Sequence, residues 1–449
     1  MKLLFIENRY ATLLWEKVAL RLQNHGHEIY WLVQNPLFSP KTGRIFIIPF
    51  PNRSEKRKND SYEWLRMLDR GVRWFGGNGD HWGYYGKKIE EIISTINPKI
   101  IFGEPTEFHE LIAIEVAKKL NITYIHPSSC RYPPNRFSFY LYDSLEPIFG
   151  SNEKLPEIEI NDLLERIARR QTIPSYMNKP NTSIFIKKIN IFRSLCKVAL
   201  GWLKGEKYIT PSPVKKLFLN FQHKRNYLKW EKIAVGAIEI NNLKKPFVLF
   251  PLQMQPEANL DVWGAPWSDQ ADLVRRLSIS LQKINVLLVV KPNPKSKYEL
   301  NEKLLNAISE GSNIVPVSHH LNMSGLLPSS ALVVTVTGTV LMECVFTNKP
   351  VAAIGNHQMC YFPGVTMIES PDFIDKVFLN IKGLCDYGSG KYNGAKFLKD
   401  QYIRSYSGEI GDPLNYPEIL NDANINLLEK SFLDIINKIS KSHDYFFEN

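Results

Sequence analysis

The stretch from Leu332 to Gly355 constrains the fold more than any other part of this 449-residue chain. It opens on an unbroken apolar, β-branched run, Leu332 to Val336, of the kind that forms a strand buried on both faces of a parallel sheet. Thr337-Gly338-Thr339 turns the chain, and Val340 to Thr347 reads as a short helix. Asn348-Lys349-Pro350 stops that helix, and Val351 to Ile354 begins the next buried strand. A strand, a small-residue turn and a helix start present backbone N–H groups at the positive end of a helix dipole, where a phosphate is the natural guest. Glu343 lies four residues after Thr339, on the same helical face and one turn deeper. The alternative is an ordinary turn whose threonines cap the helix.

The same strand–helix grammar opens the chain. Leu3 to Ile6 is a short apolar strand. Ala11 to Gln23 carries Leu14, Val18 and Leu22 at helical spacing and is closed by Asn24-His25-Gly26. Glu28 to Val33 is a second strand, and nothing here reads GxGxxG, so a dinucleotide site is not expected. Gly76 to Gly83 reads as a flexible loop, either a lid or a long connection. Lys99 to Phe102 is a strand that runs into Gly103-Glu104-Pro105-Thr106-Glu107-Phe108-His109-Glu110 before the helix Leu111 to Leu120. Ligands collect at the carboxyl ends of such strands. Glu104, Glu107 and His109 are therefore the candidate acid–base groups. The rival reading has Thr106 or Glu107 capping the helix and Glu110 decorating its surface. His126 and Arg131 follow the next strand and are weaker candidates.

A second strand–helix series starts at Phe247 and delivers Gln253, Gln255 and Glu257 just beyond a strand. Val286 to Val290 then delivers Lys291-Pro292-Asn293-Pro294. The expected architecture is α/β: two Rossmann-like parallel-sheet domains facing a cleft. Residues 1–240 form the first, with a basic helical insertion at about 151–235. Residues 241–449 form the second, with a last helix, Asn424 to Ile439, crossing back onto the first.

Lys and Arg number 56 against 45 Asp and Glu, so the net charge of +11 calls for an anionic partner. No nucleic-acid-binding motif is present. The segment 184–230 interleaves lysines and arginines with Phe192, Trp202, Leu217 and Phe218. That composition fits an anionic membrane surface, or two packed helices that expose their lysines. No apolar run approaches the ~20 residues that span a bilayer. Met1 to Ile6 reads as a first strand and not a signal peptide. The five cysteines form no CxxC pair, as expected of reduced thiols. The expected location is the cytoplasm, peripheral on the inner face of its membrane.

The order strand-Pro-Leu-Gln-x-Gln-Pro-Glu, Lys-Pro-x-Pro and Thr-Gly-Thr-x-x-x-Glu-x-x-x-x-x-Lys-Pro, from about Phe247 to Gly364, resembles the bacterial capsule polysaccharide biosynthesis family of Kdo-transferase-like GT-B enzymes. The resemblance implies transfer of a sugar, Kdo or another acidic one, from a CMP-sugar donor to a surface-polysaccharide or glycolipid acceptor. It implies that Gly338 and Thr339 hold the donor phosphate, with Lys291 and Asn293 beside it and Thr337 in the same donor site, that Glu343 meets the ribose, and that Gln253, Gln255 and Glu257 contact sugar or nucleotide. The family usually has His-Pro where this chain has Asn293-Pro294, and Asn donates a hydrogen bond but cannot act as an acid. No DxD pair suggests metal use, so neither metal nor cofactor is expected beyond the nucleotide-sugar substrate. A UDP-sugar 2-epimerase, a polyol-phosphate transferase and a non-catalytic subunit of a glycan-assembly complex remain alternatives.

Overall fold

The computed structural model describes residues 1–174, 184–355, 364–380 and 390–441; the end of the resembling stretch, 356–363, lies outside them. The chain divides into two compact units. One comprises Met1–Glu157, Thr172–Ser212 and Leu398–Asn449, the other Ile158–Gln171 and Pro213–Phe397. The basic segment is thus shared between them.

In the first unit, strands β1 (Lys2–Ile6), β2 (Glu28–Val33), β3 (Arg44–Ile47), β4 (Ile100–Phe102) and β5 (Thr123–Ser129) pair in parallel in the order β5-β4-β1-β2-β3. Strand β6 (Arg136–Leu141) adds antiparallel to β5, and Tyr406–Ser407 adds antiparallel to β6. Leu3 to Ile6, Ile29 to Val33 and Ile100 to Phe102 are fully buried, as strands covered by helices on both faces must be. The helix Thr12–Asn24 buries Leu14, Trp15, Val18 and Leu22 and stops at Gly26 (φ +82°), a conformation glycine adopts without strain.

The last helix, Asp422–Lys441, belongs to this same unit. It buries Ile425, Leu428, Phe432 and Ile436, and sets the Phe432 ring 5.0 Å from Phe102 and Phe139. Arg136 ties down the returning chain. Its guanidinium donates to Ser405 Oγ (2.7 Å), Ser407 Oγ (3.1 Å), Ser151 Oγ (3.1 Å) and the Ser405 and Tyr402 carbonyls, and pairs with Glu153 at 2.6 Å.

In the second unit six strands run parallel: β7 (Phe247–Pro251), β8 (Leu287–Lys291), β9 (Ile314–Pro316), β10 (Leu332–Thr335), β11 (Val351–Ile354) and β12 (Val365–Ile368). Their order, β12-β11-β10-β7-β8-β9, is that of a doubly wound nucleotide-binding sheet. The two-unit, Rossmann-like α/β reading of the sequence holds.

Strand order reverses once in each sheet, between β1 and β4 and between β7 and β10. At such a switch point the neighbouring connections leave on opposite faces and a crevice opens beyond the strand ends. In the segment Gly76 to Gly83 the C-terminal part is packed down, as suits a connection: His81 and Trp82 are buried, and Trp82 Nε1 donates to Asp69 Oδ2 at 2.7 Å.

Candidate functional site

At the switch point of the second unit, β7 and β10 deliver Gln253 and Thr337 to each other. Gln253 Nε2 donates to Thr337 Oγ1 (2.7 Å), and the Thr337 N–H donates back to Gln253 Oε1 (3.1 Å). Gln270 fixes the Gln253 backbone, accepting from its N–H and donating to its carbonyl, both at 2.7 Å. Gly338 follows, and its N–H donates to Thr335 Oγ1 (3.1 Å). A Cβ at Gly338 would stand 2.5 Å from that oxygen, so only glycine allows the turn this tight. Two of the turn's N–H groups are therefore engaged within the protein. Thr339 precedes the seven-residue helix Val340–Phe346 but makes no side-chain cap to it.

Lys291 ends β8, in register with Pro251 of β7. Its ammonium is buried and donates to the carbonyls of Pro292 (2.8 Å) and His319 (3.2 Å). Desolvation lowers its pKa to about 8, with Glu231 opposing the shift. Gln253, Lys291, Thr337, Gly338 and Thr339 thus stand at the carboxyl ends of three neighbouring strands.

The other candidate residues have different surroundings. The Gln255 amide is used up inside the protein: it donates to Asp261 Oδ1 and the Ser268 carbonyl and accepts from Gln270. Glu257 opens a short helix and accepts from Asn259 at 2.8 Å. Asn293 Oδ1 accepts from the Lys295 N–H (2.8 Å), closing a turn. The Glu343 carboxylate takes Arg170 on both oxygens at 3.1 Å.

Sequence reasoning passed over one node of this unit. Glu231 accepts from His319 Nδ1 (2.6 Å), the His319 N–H (2.9 Å) and Ser318 Oγ (2.8 Å), while His319 Nε2 meets Ser296 Oγ at 3.0 Å. Burial lowers the His319 pKa, and the Glu231 carboxylate opposes that shift. Because Lys291 binds the His319 carbonyl, this chain of contacts also fixes the lysine.

In the first unit the switch point gathers carboxyls. Glu110 is fully buried and does not decorate a surface. It accepts from the N–H groups of Glu104 (3.0 Å), Thr106 (3.1 Å) and Glu107 (2.9 Å) and from Asn8 Nδ2, and so shapes the loop after β4. Burial holds its pKa well above the usual carboxylate range, and neighbouring Glu104 adds to this. Glu104 keeps some surface, yet burial of its carboxyl pushes its pKa to about 7, with Glu107 and Asp412 adding repulsion. Glu107 pairs with Arg70 at 3.0 Å. His109 Nε2 bonds the Glu7 carbonyl (2.8 Å), and burial lowers its pKa to about 4, so it is neutral at pH 7.

Glu7, directly after β1, was also missed. It is buried, its pKa is raised by burial to about 7, and it accepts from the N–H groups of Arg9, Gln34 and Asn35. Its place one residue past the first strand was the available signal.

No protein-family model and no curated protein matches the sequence. Among solved structures, the chain is similar to the UDP-GlcNAc 2-epimerase of Neisseria meningitidis bound to UDP-GlcNAc, at 13% identity over 98% of this chain and 100% of that one, with a TM-score of 0.33. It is similar also to the UDP-N-acetylglucosamine 2-epimerase of Rickettsia bellii (12% identity, 100% and 99%, TM-score 0.32) and to MurG of Acinetobacter baumannii (10%, 89% and 98%, TM-score 0.29). At these scores the likeness carries no weight for function, and the fold assignment rests on the sheet topology. Membership of the capsule family is not shown.

Proposed function

We propose that the chain is a nucleotide-sugar enzyme that holds the nucleotide's phosphate at the switch point of its second unit. The observation that carries this reading is the reciprocal Gln253–Thr337 pair between the ends of β7 and β10, with Lys291 at the end of adjacent β8. Lys291 supplies positive charge in a desolvated setting, where attraction to a phosphate is stronger than in water. On binding, the nucleotide phosphate exchanges places with the carbonyls that now satisfy the ammonium.

The reaction proposed is transfer of the sugar to a glycan acceptor, supported by the resemblance over 247–364. Glu104, ionising near neutrality, is the group of the first unit best suited to take a proton. The donor nucleotide and sugar, CMP-Kdo included, rest on the resemblance alone. Asn293 offers no acid in place of the family's histidine. The competing 2-epimerase reading, an activity named for two of the similar structures, separates cleanly: an epimerase turns over UDP-sugar with no acceptor present.

A thermal-shift panel of CMP, UDP, GDP and CDP nucleotides tests the binding. One nucleotide is expected to raise the melting temperature, by about 2.7 kcal/mol of stabilisation at a hundredfold excess over Kd. Affinity is expected to fall as pH rises through about 8, where Lys291 loses its charge. A panel without any shift would sink the proposal.

A further inference from the structure

The helix Pro213–Ile233 is held by one face only. Trp230 is fully buried and its Nε1 donates to the Val317 carbonyl (2.8 Å); buried Asn226 donates to the Leu300 carbonyl (3.0 Å). The opposite face carries Val214, Leu217, Phe218, Phe221 and Leu228, at spacings of three, four, seven and fourteen residues from the first. These fall within one helical stripe, and all five are exposed, Val214 at 78%, Leu217 at 70% and Phe221 at 66%.

An apolar stripe of this size in water calls for a cover, and its flanks say which. The helix has six basic residues, Lys215, Lys216, Lys224, Arg225, Lys229 and Lys232, and a single acid, Glu231. Glu231 is committed to His319 on the anchored side. Arg225 and Lys229 share one carboxylate, Glu302, which leaves the flank strongly cationic.

We infer that this helix docks on an anionic lipid surface, with Leu217, Phe218 and Phe221 entering the acyl boundary and the lysines meeting lipid phosphates. Charge selects this occupant over a second copy of the chain, because pairing two such stripes would bring like-charged flanks together. The helix Ile184–Lys204 of the first unit shows the same pairing of exposed apolar residues (Phe192, Leu203) with a basic flank (Arg193, Lys204). The inference goes beyond nucleotide-sugar chemistry and stands or falls separately from it.

The test is sedimentation of the full chain with vesicles of phosphatidylglycerol and phosphatidylcholine, against phosphatidylcholine alone. Binding is expected only to the anionic vesicles, weakening with salt. Leu217→Ser/Phe218→Ser/Phe221→Ser is expected to lower partitioning at least about tenfold. Lys224→Glu/Lys232→Glu, which leaves the apolar stripe intact, is expected to abolish the preference for anionic lipid. A far-UV circular dichroism spectrum and a cooperative thermal melt like those of the wild type would confirm that both variants are folded. Equal binding to both vesicle types, no binding at all, or a triple variant that binds like the wild type would overturn the inference. So would a wild-type dimer that the triple variant converts to monomer with no effect on vesicles; a second copy would then be the cover.

Discussion

Glu104→Gln is expected to slow turnover by about 100- to 10,000-fold while leaving nucleotide affinity unchanged. Gln keeps the shape and hydrogen-bonding edge of the side chain but cannot take a proton. Under the proposed mechanism the ionised form is the base, so the wild-type rate is expected to rise as pH passes about 7. The variant is expected to lose that rise. Stability runs the other way. The folded pKa lies above the usual value of 4.5, so the contribution of Glu104 to stability is present below about pH 4.5 and is lost as pH rises through about 7. Glu7, also raised to about 7, follows the same sign. Steady-state rates over pH, with titration calorimetry on both proteins, check the claim. A variant that keeps most of its activity would remove Glu104 from catalysis.

The largest effect on stability is expected from Arg136→Ala. This buried guanidinium serves β6, the loop around Ser151 and the returning chain at Tyr402 to Ser407 at once. Its removal leaves two carbonyls and three hydroxyls short of a donor, and strips Glu153 of its partner. Glu153 is half-exposed and water takes over its partner's place, but buried groups that lose a charged donor cost about 1–3 kcal/mol each, so a loss of about 3–5 kcal/mol is expected, or about 10 °C in the unfolding of the first unit. Arg136→Lys is expected to recover only part of this, because an ammonium cannot reproduce the planar fork. Scanning calorimetry that finds a shift below about 2 °C for the alanine variant would show that the returning chain is held by apolar packing around Phe432 instead.

The central strands were legible because buried parallel strands are continuous apolar runs, and Leu332 to Val336 or Leu3 to Ile6 admit few other readings; the partly exposed edge strands Arg44–Ile47, Ile314–Pro316 and Val365–Ile368 offer no such run and went unread. Strand-end residues were legible for the same reason: Gln253, Lys291 and Thr337 could be located without knowing which strands neighbour one another. What sequence could not show was who bonds whom across long separations. Glu231 and His319 are 88 residues apart, and no spacing rule connects a helix residue to a loop beyond three later strands. Glu110 reads as surface on a helix start and is instead the buried acceptor that shapes the loop after β4. The turn at Thr337 to Thr339 looked rich in unused N–H groups, but Gln253 and Thr335 supply acceptors that local sequence does not announce. Gly76 to Gly83 misled by composition, since its glycines hide the buried pair His81 and Trp82.

The central claim is that a nucleotide's phosphate is bound at the ends of β7, β8 and β10. It is tested most directly by calorimetric titration of CMP and UDP nucleotides into the wild type, Lys291→Ala and Gln253→Ala. Both variants are expected to bind the preferred nucleotide at least about tenfold more weakly, a loss of about 1.4 kcal/mol or more. Wild-type affinity in both variants, each shown to be folded, would contradict the claim.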